Sequence, residues 1–125
     1  MKINIHPDCG NSPKREFIKD FNLAFFQGNT EFILNHVSDD ITWEIFGDKT
    51  IQGKADFSKE IQAMAGYPAD ELSVHHIITH GKEAACNGEF VMGEKRYAFS
   101  DFYVFASAGS KTIKKLYSYI VEIKD

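Results

Sequence analysis

The spacing of apolar residues in the first half of the chain predicts three helices. Behind Ser12 and Pro13, a pair typical of a helix start, apolar side chains recur at helical intervals from Phe17 to Phe25. Gly28 is the kind of residue at which such a helix ends. The predicted helices begin at residues 13, 30 and 54, and the last one ends at residue 65.

Alternation of apolar and polar side chains predicts strands in the rest of the chain. Ile41, Trp43 and Ile45 share one face of a strand over residues 41–46. Four later strands are predicted over residues 72–80, 84–92, 95–106 and 112–123. Helices followed by antiparallel strands indicate an α+β fold, with the helices on one face of a sheet. We expect one domain over residues 1–125, in which residues 1–12 form an irregular lead-in.

The strand over residues 95–106 contains the best candidate for a catalytic residue. Asp101 shares one strand face with four aromatic residues, and the opposite face is also largely apolar. A strand covered on both faces belongs to a core. A carboxyl group there must be paired, protonated or placed in a cavity. The aromatic residues on the face of Asp101 are Tyr97, Phe99, Tyr103 and Phe105.

The composition limits the classes of function. The net charge of −4 comes without a basic cluster, so neither nucleic acid nor an anionic membrane is an expected partner. No segment approaches the roughly 20 apolar residues that span a bilayer, and no signal peptide is recognisable, which favours the cytoplasm. Cys9 and Cys86 lie in unrelated surroundings and are expected to be free thiols.

Several short segments, in a fixed order, resemble the motifs of one family. They are FNLAFFQGN at 21–29, VSDDITW at 37–43, IQGK at 51–54, DFYVF at 101–105 and KTIKKLYSY at 111–119. Together they resemble the SnoaL-like branch of the nuclear transport factor 2 superfamily over residues 13–123. The resemblance implies a cone in which three helices pack on a strongly curved, mixed and mostly antiparallel sheet around a pocket.

The ketosteroid isomerase of this superfamily offers a residue-by-residue comparison. That enzyme uses a helix tyrosine and a late-strand aspartic acid as hydrogen-bond donors, and an aspartate on an early strand as the base. Asp101 falls at the position of the late-strand acid, whereas Phe21 takes the place of the tyrosine and Ile45 that of the base. The resemblance therefore implies the fold, and we expect the isomerase reaction to be absent.

The residues expected to line the pocket come from the first helix and from three strands. Folding the last two strands back on each other places Asp101 opposite Tyr117, within about two residues. Lys115 and Tyr119 share the strand face of Tyr117. The expected ligand-binding residues are Phe21, Trp43, Ile45, Phe99, Tyr103, Tyr117 and Tyr119.

Neither a metal nor a cofactor is expected. His75 and His76 point to opposite faces of a strand, no Cys or His pair has zinc-site spacing, and no phosphate-binding glycine loop occurs. Whether His75 or His76 enters the pocket stays open at this point.

Two functions remain in competition, and a homodimer is expected in either case. One is a binding protein for a small apolar molecule centred on Asp101. The other is a cofactor-independent isomerase, lyase or hydrolase in which Asp101 is the acid or donor. The outer sheet face should carry apolar side chains that a second copy would cover. These side chains are expected to be Ala98, Phe102, Val104, Leu116 and Ile120.

Overall fold

A computed structural model describes residues 1–124, which fold into three α-helices and seven strands. The helices are α1 (Pro13–Gln27), α2 (Thr30–Leu34) and α3 (Lys54–Ala65). The strands are β1 (Lys2–Ile5), β2 (Val37–Ile45), β3 (Lys49–Gln52), β4 (Glu71–His80), β5 (Glu83–Met92), β6 (Lys95–Phe105) and β7 (Ile113–Ile123).

The seven strands form one mixed sheet in the order β1-β4-β5-β6-β7-β2-β3. The pairs β1/β4 and β2/β7 are parallel, and the other four neighbours are antiparallel. The three helices pack on one face of this sheet: aromatic contacts join α1 to β5 and β6, α3 to β2, and α2 to α1. The predicted α+β architecture is therefore confirmed.

The ends of the first helix follow from local chemistry. The Ser12 hydroxyl accepts a hydrogen bond from the Arg15 amide at 3.3 Å, and Pro13 occupies the first turn. At the other end Gly28 adopts a left-handed backbone with φ of 77°. A Cβ atom at Gly28 would lie 2.9 Å from the Ala65 carbonyl oxygen, so this glycine also lets α1 approach α3 closely.

The prediction that residues 1–12 form an irregular lead-in is wrong. Residues 2–5 pair in parallel with β4, and residues 7–10 form a short 3₁₀ helix. Cys9, expected in a flexible segment, is instead fully buried in the core. The segment gave no strand signal because β1 lies at the sheet edge with largely exposed side chains, so its hydrophobic pattern carries little information.

The register between β6 and β7 also differs from the expectation, and the cause is a single residue. Phe105 pairs with Ile113, but Val104 pairs with Lys115, so Lys114 bulges out of the ladder. Beyond the bulge every β6–β7 pair is shifted by one residue, so Asp101 lies opposite Ser118 rather than Tyr117. A shift of one residue moves every side chain of a strand to the other face, since strand side chains alternate with a period of two.

Because of this shift, the prediction that Leu116 and Ile120 lie on the outer sheet face is wrong. Leu116 and Ile120 pair with Tyr103 and Phe99 and point toward the helices. Tyr117 and Tyr119 take their place on the outer face, beside Phe102.

A second irregularity bends β4 and β5 at the level of the cavity. The register shifts between Val74 and His76, opposite Gly88. The backbone of β4 comes so close at Gly88 that an added Cβ would overlap the Ser73 carbonyl oxygen, at 2.0 Å. The Phe99 ring lies over the same glycine, at 3.0 Å from that Cβ position. Because Gly88 has no side chain, β4 can approach it closely and the Phe99 ring can pack over it.

Within residues 1–124, no helix is both long enough and apolar enough to cross a membrane.

Gly88→Ala should destabilise the fold by about 1–3 kcal/mol or more, because the new methyl group overlaps a backbone oxygen that cannot move without breaking the bend. Urea unfolding of both proteins measures the difference. Gly109→Ala is the matched control, since nothing lies within 4 Å of its Cβ position. Equal losses in the two variants would show that the close approach at Gly88 is not a constraint.

Candidate functional site

A cavity of about 340 Å³ lies between the concave face of the sheet and helices α1 and α3. Its walls are mostly aromatic and aliphatic, and it opens to solvent beside the exposed side chains of Tyr67 and Ile120. The lining aromatic rings are Phe21, Phe25, Phe26, Trp43, Tyr67, Phe90, Phe99 and Tyr103. The lining aliphatic side chains are Ile45, Ala63, Met64, Ala69, Met92, Leu116 and Ile120, and the polar ones are Asn22, Asp48, Glu60, Asp101 and Ser118.

Asp101 lies in the wall of this cavity at the middle of β6. Part of its side chain is accessible from the cavity, but protein atoms surround the carboxyl group and separate it from bulk water. This burial raises the pKa of Asp101 to about 7, although hydrogen bonds from Ser118 and Tyr103 favour the charged form and pull the pKa down. The carboxyl group therefore changes its protonation state near neutral pH.

The two hydroxyl groups that donate to Asp101 are themselves held by buried donors. Trp43 Nε1 donates to Ser118 Oγ at 2.9 Å. Asn22 Nδ2 donates to the Tyr103 hydroxyl at 2.9 Å and to the Ile18 carbonyl at the same distance. Because an indole N–H and an amide nitrogen only donate, each hydroxyl keeps its own proton for Asp101. Two chains of hydrogen bonds therefore end at Asp101: one from Asn22 of α1 through Tyr103, and one from Trp43 of β2 through Ser118.

Cys86 is the neighbour of Asp101 on the other side, on β5. Burial raises the pKa of the Cys86 thiol far above its usual range, and the carboxyl group of Asp101 adds to the effect. The pKa of Tyr103 is likewise raised well above its usual value by burial and by Asp101. Both groups remain protonated at neutral pH, so Cys86 is not a nucleophile here.

The mouth of the cavity carries two further acids. Asp48 and Glu60 line it, and Lys49 Nζ lies 2.8 Å from Glu60 Oε1. The hydrogen bond and charge of Glu60 raise the pKa of Lys49. Among the lining residues of the described chain there is no Lys, Arg or His.

The structure brings together most of the residues that the sequence singled out. Asp101 and its predicted neighbours Phe21, Trp43, Ile45, Phe99 and Tyr103 all line the cavity. Trp43 packs edge to face on Phe25 with ring centres 5.6 Å apart, which fixes the indole whose N–H holds Ser118.

The expected pocket positions of Tyr117 and Tyr119 are wrong. Both tyrosines lie on the outer face, where Tyr119 stacks on Phe46 with ring centres 4.5 Å apart. Lys115 shares that face. The physical reason is the bulge at Lys114, which exchanges the two faces of β7.

His75 and His76 also lie outside the cavity. His75 Nε2 is 3.0 Å from Glu89 Oε2, and His76 Nδ1 is 3.0 Å from Asn87 Oδ1, both in exposed positions. Across residues 1–124, no group of three or more His, Cys, Asp or Glu side chains is arranged to hold a metal ion.

Two polar residues of the site, Asn22 and Ser118, were missed by sequence reasoning. Asn22 could have been noticed, since it is a lone polar residue four positions after Ile18 on the buried face of α1. Ser118 gave no usable signal, because its face depends on the bulge in β7.

Comparison with known proteins places the fold in a family. The family model of the SnoaL-like domain matches residues 16–111. A search of curated protein sequences found no match.

Solved structures with the same architecture are distant in sequence. A nuclear transport factor 2-like protein of unknown function from Burkholderia xenovorans is 12% identical with a TM-score of 0.74, over 89% of this chain and 84% of that one. One from Cytophaga hutchinsonii is 20% identical with a TM-score of 0.66, over 85% and 97%. An epoxide hydrolase of M. tuberculosis is 18% identical with a TM-score of 0.66, over 85% and 80%. At these identities the likeness shows the fold alone.

Asp101→Asn should change how stability depends on pH. The folded-state pKa of about 7 exceeds the unfolded value of about 3.9, so the folded wild type holds a proton that the unfolded chain releases. Wild type should therefore lose stability as pH rises from about 4 to about 7, by up to about 1.4 kcal/mol per pH unit, and the variant lacks this contribution.

Urea unfolding of wild type and Asp101→Asn at a series of pH values measures the effect. The difference between the two curves removes the contributions of all other titrating groups. A constant difference across this pH range would contradict a buried carboxyl group with a raised pKa.

Proposed function

This chain is a member of the SnoaL-like domain family, and from that premise we propose that it binds a small, largely apolar molecule in the cavity centred on Asp101. The observation that carries the proposal is the cavity itself, about 340 Å³ of apolar-walled space that reaches a hydrogen-bonded carboxyl group. A domain that used this fold only as a scaffold would be expected to fill the space between helices and sheet with side chains.

The lining supports one polar contact on an otherwise apolar ligand. Binding sites for small molecules are typically apolar clefts of a few hundred Å³ with a few convergent polar groups. Here the convergent groups are Asp101, Ser118 and Tyr103, which lie together on β6 and β7. A cavity of about 340 Å³ lies at the lower end of the volumes of such sites, about 300–1,000 Å³, and so suits a small ligand.

A second candidate function is catalysis without a cofactor. The pKa of Asp101, about 7, favours it, because a group that transfers protons works best when its pKa lies near the working pH. Asp101 would then be the acid or base of an isomerase, lyase or hydrolase. Ser118 and Tyr103 would orient it, in place of the tyrosines expected from the sequence.

Steroid isomerisation is the one reaction of this fold that we exclude from the proposal. It needs a base beside the carbonyl group and a second donor for the oxygen that becomes negative. Ile45 cannot accept a proton and Phe21 cannot donate a hydrogen bond, although both line the cavity. Asp101 alone is an acid without its base.

We also propose a homodimer through the outer sheet face. Four rings form a partly exposed aromatic cluster there, with Phe102 and Tyr117 at 6.2 Å and Phe46 and Tyr119 at 4.5 Å between ring centres. Val121 on β7 and Ile78 on β4 are also largely exposed. Exposed apolar side chains in such number are typical of a surface that another protein covers.

Ala63→Trp should abolish ligand binding by closing the mouth of the cavity. Ala63 lines the cavity but is exposed on α3, so the larger side chain covers the opening without disturbing the core. Thermal shift with a panel of small aromatic and alicyclic compounds is the measurement. A compound at a hundred times its Kd stabilises wild type by about 2.7 kcal/mol, or several degrees in Tm.

Gln62→Trp is the matched control, because Gln62 is the exposed neighbour on the same helix and does not line the cavity. We expect this variant to respond to the compounds as wild type does. If no compound shifts wild type, or if Ala63→Trp responds equally, the cavity is not a binding site.

Phe102→Glu should break the dimer and leave the cavity unchanged. The side chain points away from Asp101, and a two-fold contact would bury the new charge twice, at a cost of several kcal/mol. Sedimentation velocity measures the outcome. Gln62→Glu is the control, because it adds the same charge at an exposed position on α3, away from the outer sheet face. A Phe102→Glu protein that sediments like wild type would remove this face from the interface.

A further inference from the structure

Resting on the proposed function, we propose that the cavity takes a small aromatic amine, bound as its ammonium ion with N–H groups donated to Asp101. Three independent features of the lining favour this chemistry over a ketone, an alcohol or a carboxylate. They are the direction of the hydrogen bonds around Asp101, the sign of the charges, and the density of aromatic rings.

When Asp101 is ionised, the hydrogen bonds leave acceptors, and not donors, facing the cavity. The hydroxyls of Ser118 and Tyr103 both hydrogen-bond to Asp101, and because each oxygen accepts from the N–H of Trp43 or Asn22, each hydroxyl proton is free for the carboxylate. The assignment of Asn22 is unambiguous, since its nitrogen also contacts the Ile18 carbonyl, which can only accept. A carboxylate offers about four lone-pair positions, and these two hydroxyls occupy two of them. The remaining positions call for a ligand that donates.

The charges of the lining all have one sign. Asp101 lies in the cavity wall and Asp48 and Glu60 lie at its mouth, whereas no lining residue is basic. Lys49 neutralises Glu60 from outside the cavity, at 2.8 Å, and leaves the other two acids without a basic partner in the lining. An anionic ligand would therefore meet repulsion at the mouth and in the interior, and a cationic ligand would meet attraction.

The aromatic walls reduce the cost of taking a cation out of water. Eight rings line the cavity, and the electron-rich faces of such rings attract an ammonium group. Burying an ion pair normally requires that both ions lose their water. Here folding has already removed most of the water around Asp101, so most of the remaining desolvation cost of the ion pair falls on the ammonium ion.

Phenethylamine, phenethyl alcohol, acetophenone and phenylacetate share one aromatic body and differ in the polar group, so they test the proposal by isothermal titration calorimetry. We expect phenethylamine to bind wild type about tenfold or more tightly than the alcohol, and phenylacetate to bind most weakly. Near pH 7 the amine should release a proton from Asp101, which buffers of different ionisation enthalpy would reveal. Acetophenone would instead require protonated Asp101 and take a proton up.

The groups around Asp101 do not contribute to the number of protons released or taken up on binding. They are Tyr103 on the same strand, Ser118 on β7 and Cys86 on β5, and Asn22 of α1 contacts Tyr103 and Cys86. Tyr103 and Cys86 keep their protons at neutral pH because burial raises the pKa of each, and Ser118 and Asn22 do not titrate.

Asp101→Asn should remove the preference for the amine while the alcohol still binds. Asp56→Asn is the matched control, because Asp56 is exposed in the first turn of α3 and does not line the cavity, and we expect it to keep the preference of wild type. Stronger binding of acetophenone or of the alcohol than of the amine would overturn the inference and leave the proposed function standing. Failure of all four compounds, together with a silent thermal-shift panel, would overturn the proposed function itself.

Discussion

The site depends on one constraint, that a carboxyl group placed inside an apolar cavity must keep hydrogen-bond partners. Asp101 meets it with hydroxyl groups from its own strand and from β7. These hydroxyls in turn accept from Trp43 on β2 and Asn22 on α1. A single buried group therefore links three strands and a helix, and any change in the relative position of these elements would leave a polar atom without a partner.

The shape of the sheet creates the space in which this network operates. The irregularity opposite Gly88 bends β4 against β5, and the bulge at Lys114 offsets β7 against β6. Of these strands, β5, β6 and β7 contribute residues to the cavity wall. Without the first, the Phe99 ring could not pack over Gly88, and without the second, Tyr117 and Tyr119 would replace Ser118 and Ile120 inside the cavity. Backbone irregularities of this kind are used to aim side chains at a site.

The resulting cavity combines features that are individually common and informative together. Its walls are apolar and aromatic, its charged side chains are all acidic, and the carboxyl group of Asp101 is hydrogen-bonded to Ser118 and Tyr103. The same carboxyl group could serve as a binding contact or as a proton carrier, because its pKa of about 7 permits both states near neutrality. The residues that would complete a ketosteroid isomerase are absent at Phe21 and Ile45. The fold alone therefore does not assign a reaction to this cavity.

The amino-acid sequence alone determined the features that arise from local periodicity. The cap at Ser12, the bounds of α3 and the placement of Asp101 among Phe99 and Tyr103 all follow from side-chain spacing within one element. The fold was identified from the order of five short motifs, each weak alone, that together resemble one family.

Only the tertiary structure decided which residue faces Asp101 and where the chain begins its sheet. The register of β7 depends on one unpaired residue, Lys114, and a period of two turns that single residue into an exchange of Tyr117 for Ser118. The first strand is defined by backbone pairing with β4, about 69 residues away in sequence, rather than by its own exposed side chains. Pairing between distant backbones leaves no trace in local hydrophobicity, and for that reason the sequence could place Asp101 beside Tyr103 but not opposite Ser118.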